Sequence, residues 1–315
     1  MRTMRRRGSA AVAATAALAL TLAACGSDNG TEEEPDAGTG GETTESTDDG
    51  ASAGGTITVG VHNGWPEGEA VSYLWAHILE EQGYTVELEY ADAGPVFTAL
   101  AQGDLDINFD TWLPITHEDY LEQYGDSWVD LGAWNDEASL TIAVNDDAPI
   151  ESLTELAENA DAFGNELVGI ESGAGLTRIT QDEVIPTYGL EGMNFLISST
   201  PAMLAELDGA IAAGENVVVT LWRPHWAYNE YPIRDLEDPE GALGETESMH
   251  TMAHESFPEN FPEVAEWIEG WTLSNDELYE LENIMFNEND GENQAESVEQ
   301  WLESYPDYVD NIVGG

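Results

Sequence analysis

The chain has 315 residues, in which 64 acidic side chains face seven arginines and no lysine, a formal charge of −57. That balance excludes a nucleic-acid binder, because phosphate and protein would repel and no basic patch exists to release counterions; it also argues against docking on anionic lipid headgroups. Hydrophobic residues at 42%, with ten tryptophans, leave enough apolar surface for a large core, so the acidity reads as surface adaptation to high salt, as in a halophilic protein, rather than as disorder.

Four of the arginines, Arg2, Arg5, Arg6 and Arg7, precede an apolar run from Ala10 to Ala24. That run is short of the roughly 20 residues a membrane span needs and fits a signal peptide over residues 1–24. It ends in Leu22-Ala23-Ala24-Cys25-Gly26. Small residues before a cysteine resemble a bacterial lipobox, which implies lipidation of Cys25 as the mature N-terminus. Cys25 is the only cysteine, so no intrachain disulfide can form. Residues 25–55 contain Gly, Ser, Thr, Asp and Glu with no aliphatic beyond alanine. They read as a disordered acidic linker between a lipid anchor and a folded part of about 260 residues. The expected location is extracytoplasmic, on the outer face of the cytoplasmic membrane, with the chain a monomer.

Thr56 to Val61 alternates and is β-branched, the pattern of a strand. Pro66 suits a first helical turn. Ala70, Val71, Leu74, Ile78 and Leu79 then recur at helical spacing up to a terminating Gly83. A strand is expected over Tyr84–Tyr90, a helix over Pro95–Gln102 ending at Gly103, and a strand over Leu105–Phe109. Further strands are expected over Glu166–Ile170 and Asn216–Leu221. The alternation predicts an α/β protein with largely parallel pairing.

On this reading Trp65, Trp112 and Trp222 each fall just past a strand end, where open α/β sheets bind ligands. The Gly173-Ala174-Gly175 loop lies between a strand and a helix, a place that favours an anion. Aromatic faces attract desolvated cations at up to ~2 kcal/mol or more each. Together these features suit a small zwitterion with a quaternary ammonium at one end and a carboxylate at the other. Tryptophans at strand ends also serve as plain packing, and one Gly-x-Gly turn is weak evidence.

Four stretches carry a resemblance. They are Asn63-Gly64-Trp65, Thr111-Trp112-Leu113-Pro114-Ile115-Thr116-His117, Gly169-Ile170-Glu171-Ser172-Gly173-Ala174-Gly175-Leu176, and Trp222-Arg223-Pro224-His225-Trp226. In this order the chain resembles the glycine betaine substrate-binding proteins of ABC importers, from about Thr56 to the C-terminus. The resemblance implies a two-lobed α/β substrate-binding-protein fold of periplasmic type II, with a central mixed β-sheet in each lobe and the ligand cleft between lobes. Lobe 1 would be residues 56–142 and 249–315, and lobe 2 residues 143–248. Trp65, Trp112 and Trp222 would form the aromatic box, with His117 and the amides of Gly175 and Leu176 holding the carboxylate. The implied partners are a quaternary-amine ligand and a membrane permease, with no cofactor and no enzyme activity. A choline-type binding protein of the same fold is the alternative.

Arg223, inside the fourth motif, would contact a ligand carboxylate or pair with a nearby acid. Pairing is the preferred reading there and at Arg178. His225 reads as a wall residue. His250 and His254 have a metal-compatible spacing, but no glutamate follows the first and an extended segment is expected there, so no metal site is assigned. Asn287 to Glu292 fails the EF-hand pattern. No phosphate-binding loop or nucleophile elbow is present. Trp267, Trp271 and Trp301 read as packing of C-terminal helices.

Overall fold

The computed structural model describes residues 54–314. The signal segment 1–24, Cys25 and the linker up to residue 53 lie outside the described residues. Among the described residues nine strands form one continuous sheet: β1 Thr56–His62, β2 Thr85–Ala91, β3 Ile107–Leu113, β4 Trp128–Asn145, β5 Glu166–Val168, β6 Asn194–Leu196, β7 Val218–Arg223, β8 Ile233–Asp235 and β9 Glu247–His254. Their order is β2-β1-β3-β9-β4-β7-β5-β6, with β8 also paired to β4.

The first units follow their local signals. Helix α1, Pro66–Glu81, begins with Pro66 in its first turn and buries Val71, Leu74, Trp75, Ile78 and Leu79. Gly83 then takes φ +86°, open to glycine without strain. Helix α2, Ala93–Gln102, ends at Gly103 in the left-handed conformation, whose amide reaches back to Ala99 and Leu100 carbonyls. β1 pairs in parallel with β2 and β3, as βαβ units do.

The sheet as a whole is mixed rather than largely parallel. β3 runs antiparallel to β9, β9 to β4, and β4 to β7 and β8. β4 is the long element, with 18 residues, which at about 3.3 Å per residue reaches roughly 60 Å. Its first part, Trp128 to Ala138, pairs with β9; from Ser139 it pairs with β7. One strand thus passes through both halves of the sheet. The antiparallel partners also lengthen their neighbours. Pairing of Trp112 with Met249 carries β3 beyond Phe109, and pairing of Trp222 with Leu140 carries β7 beyond Leu221. Trp112 and Trp222 therefore sit inside strands, not past their ends.

The C-terminal tryptophans pack as core. Trp271 stands edge-on to Trp75, which stacks on Phe109; Trp267 packs on Tyr84, and Trp301 on Tyr305 and Tyr308. His250 and His254 lie on β9, where His250 pairs with Asp130 and His254 with the Ser256 hydroxyl. Among the described residues no helix is long and apolar enough to cross a membrane.

Candidate functional site

A small cavity lies where the two halves of the sheet meet. Its walls include Trp65, Trp112, His117, Gly175, Leu176 and Trp222, so all six residues singled out from sequence come to one place. Glu67, Thr116, Leu140, Ile170 and Ala174 complete the lining.

Each tryptophan is set by its element and then locked by its indole N–H. Trp65 caps α1 and donates to Glu171 Oε1 at 2.7 Å. Trp112, on β3, donates to Asp110 Oδ1 at 2.8 Å. Trp222, on β7, donates to Glu67 Oε2 at 2.9 Å. The rings of Trp65 and Trp222 stand 6.3 Å apart at 62°. Three polar indole edges are thus consumed by carboxyl groups, which leaves aromatic faces to line the space. Those carboxyl groups are the functional side chains sequence reasoning missed. Glu67 and Asp110 each lie two residues from one of these tryptophans, but in a chain this acidic such proximity carries no contrast.

His117 caps helix α3, Glu118–Tyr124, and its ring stacks on Trp65 at 5.7 Å and 5°. Its Nδ1 accepts the backbone N–H of Trp112 at 2.8 Å, so the neutral ring carries its proton on Nε2. Burial, and then the charges of His62 and Arg178, hold its pKa well below the ordinary histidine value. Nε2 is buried and has no acceptor among the protein atoms. A buried N–H without an acceptor is costly, and this one belongs to a residue of the cavity wall. The adjacent loop is fixed by Glu247, which accepts from the backbone of Ile115 and Thr116 and from the Thr116 hydroxyl.

Gly175 and Leu176 open a helical run that continues to Tyr188. The first N–H groups of such a run have no intrahelical acceptor and concentrate partial positive charge. A Cβ on Gly175 would lie 2.0 Å from the carbonyl oxygen of Thr116, so the two walls touch through this glycine.

Buried carboxyl groups lie behind the three tryptophans. Glu67, Asp110 and Glu282 are all fully buried or nearly so. Burial first, then the charges of Asp110 and Glu282, raise the pKa of Glu67 well above the usual carboxylate range. Burial likewise raises Glu282, and pushes Asp110 up to about 7. His62, under Trp65, is driven down to about 3 by burial and stays neutral.

Arg223 turns away from the cavity. It pairs with Asp235 at 2.7 Å and lies over the Tyr228 ring at 3.5 Å. Arg178 pairs with Asp119 at 3.1 Å and donates to the carbonyl of Ile115. His225 accepts the Ala227 N–H through Nδ1 and meets Trp222 edge-to-face at 4.7 Å, a support behind that ring rather than a lining residue.

The family model described as the substrate-binding domain of ABC-type glycine betaine transport systems matches residues 55–304. Among curated proteins, the chain is 30% identical over 166 residues to the glycine betaine/carnitine transport binding protein GbuC of Listeria monocytogenes. That alignment covers 51% of this chain and 52% of GbuC, so the chain spans about half the length of this relative. Among solved structures it is similar to the glycine/betaine/L-proline-binding protein ProX of Borrelia burgdorferi, at 28% identity and TM-score 0.76, over 82% of this chain and 96% of that one. It shares its fold with lactococcal OpuAC in a closed conformation complexed with glycine betaine, at 24% identity and TM-score 0.75, over 82% of this chain and 99% of that one. The family is one of transport binding domains, not of enzymes. Matched over residues 55–304 and folded in the same way, this chain belongs to the substrate-binding domains of ABC-type glycine betaine transport systems.

Proposed function

We propose that this chain captures glycine betaine, or a related carboxylated quaternary-amine osmolyte, in a cage of Trp65, Trp112 and Trp222 and delivers it to the permease of an ABC importer. The observation that carries this reading is the pairing of two unlike features in one cavity. Aromatic faces set by carboxyl-bound indoles suit a trimethylammonium group. The neutral His117, with Nε2–H lacking a protein acceptor, suits a carboxylate together with the amides of Gly175 and Leu176.

In this reading the cavity lies between two lobes, residues 56–142 with 249–315 and residues 143–248. The first supplies Trp65, Trp112 and His117; the second supplies Trp222, Gly175 and Leu176. A ligand that touches both favours the closed state by hinge motion about the connecting strands, β4 among them. The lipid on Cys25 holds the monomer at the outer face of the cytoplasmic membrane, and the acidic surface keeps it soluble in salt. Osmolyte capture fits that surface, since imported betaine relieves water loss.

Calorimetric titration of the chain from residue 55 onward in molar salt, with glycine betaine and then choline, tests the proposal. Tight betaine binding with weak choline binding supports the cage and the carboxylate cradle together. Equal or tighter choline binding removes the role given to His117, Gly175 and Leu176, and binding of neither removes the ligand class.

Two further outcomes are expected. His117→Phe weakens betaine by about tenfold or more, the worth of a hydrogen bond to a charged group; choline, with no carboxylate, loses much less. Parallel titrations of the variant check this. Betaine affinity also rises between pH 6 and pH 8. Asp110, with its pKa near 7, loses its proton across that window, and an ionised carboxyl behind Trp112 favours a cation in the cage. Glu67 and Glu282 act with the same sign at higher pH. His62 and His117, already neutral, add no slope there. Titrations at pH 6, 7 and 8 in one ionic strength check it; a flat profile counts against the buried acids.

A further inference from the structure

Two of the indole–carboxyl bonds run in opposite directions across the cleft. Trp65 of the first lobe donates to Glu171 of the second, while Trp222 of the second donates to Glu67 of the first. Each carboxyl group is anchored at home. Glu171 Oε2 accepts the N–H and hydroxyl of Thr200, at the start of the helix Thr200–Ala213, so its Oε1 is left to reach across. Glu67 lies in the first turn of α1. The backbone also comes close here: a Cβ on Gly64, beside Trp65, would lie 3.1 Å from Pro201 and 3.2 Å from Thr200.

We propose that Glu67 and Glu171 are positioning residues that form a reciprocal latch, each carboxyl group gripping the cage tryptophan of the opposite lobe. The inference rests on the two-lobe reading given above and adds a consequence to it. In an open cleft both indole N–H groups bond to water. In the closed cleft that water is gone, and each N–H must find Glu67 or Glu171 or go unsatisfied. Closure and cage assembly are then one event. The latch aims the aromatic faces, and the same bonds hold the lobes together while ligand is inside. Losing a latch bond therefore speeds ligand release and leaves encounter with the open form unchanged.

A double-mutant cycle in the full chain tests this. The readouts are glycine betaine association and dissociation rates by stopped flow, and the closed fraction by fluorescence transfer between dyes on the two lobes. Glu67→Leu is expected to speed dissociation about tenfold or more, to lower the closed fraction, and to leave the association rate within about twofold. Glu67→Gln keeps an acceptor oxygen and restores most of the closed fraction, which separates the latch from a folding defect. Trp222→Phe keeps an aromatic face but removes the N–H. In that background Glu67→Leu is expected to add nothing. The same holds for Glu171→Leu with Trp65→Phe. Equal effects of Glu67→Leu with and without the Trp222 N–H overturn the proposal, because Glu67 would then act only through charge or packing. Failure of the wild-type chain to bind betaine would instead sink the ligand reading. The closed fraction without ligand then carries the cycle, and independence of Glu67 and Trp222 there overturns the latch.

Discussion

Gly175→Ala is expected to abolish tight ligand capture while leaving the ligand-free chain as stable as before. The added Cβ would sit 2.0 Å from the Thr116 carbonyl oxygen and 2.7 Å from Thr116 Cγ2. No heavy atom tolerates such a distance from backbone, and while the cleft is closed the Glu247 bonds to the Thr116 N–H and hydroxyl resist its retreat. On the two-lobe reading proposed above, Thr116 belongs to the opposite lobe, so separating the lobes relieves the clash. Gly175 is helical, a conformation alanine adopts readily, and the exchange trims the freedom of the unfolded chain by about 0.4–1 kcal/mol. The substitution therefore acts on closure alone. A loss of at least about 100-fold in betaine affinity, or about 2.8 kcal/mol, is expected by calorimetry, with an unchanged or slightly raised ligand-free melting temperature. Gly173→Ala is the control. Its Cβ would meet only Tyr120 Oη at 3.5 Å and Gly94 N at 3.6 Å, ordinary contacts. Affinity within about threefold of wild type is expected there. Equal losses for the two alanines would mean that the loop, not the closure contact, is what matters.

This contrast bears on what the sequence shows. Read alone, the Gly173-Ala174-Gly175 loop invites the explanation that glycines let a ligand approach backbone amides. The geometry gives Gly175 a different necessity, the close approach of the Thr116 backbone, which no local pattern encodes. β1, α1 and α2 were legible because their signals are local: β-branched alternation, Pro66 in the first turn, Gly83 and Gly103 at the ends. β4 and β9 were not, because their pairing joins residues more than 100 apart and tertiary context overrides propensity. The same long-range pairing moved Trp112 and Trp222 from strand ends into strands. The four separated motifs identified the family to which the chain belongs, and Trp65, Trp112, Trp222 and His117 converge on one cavity. Glu67, Asp110 and Glu171 stayed hidden as tryptophan partners. Among 64 acidic residues, only the folded geometry singles out those three as indole partners.

Trp112→Leu is expected to weaken glycine betaine by at least tenfold, and the reason can be isolated with a second ligand. The carbon isostere 3,3-dimethylbutanoate has the shape and carboxylate of betaine, with a neutral tert-butyl group where betaine carries its cation. Shape, burial and the His117 cradle are common to both, so their affinity difference reads the cation alone. A desolvated cation on an indole face is worth about 2 kcal/mol or more, roughly a factor of 30. Leucine keeps apolar bulk at position 112 but offers no π-face. It also removes the donor to Asp110 and leaves a buried carboxyl group unpaired, so some loss of fold stability accompanies it. That loss weighs on both ligands equally and cancels in their ratio. Wild type is expected to prefer betaine strongly over the isostere, and Trp112→Leu to surrender most of that preference, by calorimetric titration of all four pairs. If both ligands fall by the same factor, Trp112 shapes the cavity without sensing charge. The cage reading then fails, and the buried carboxyl groups Glu67 and Asp110 would be left as the source of any preference for a cation.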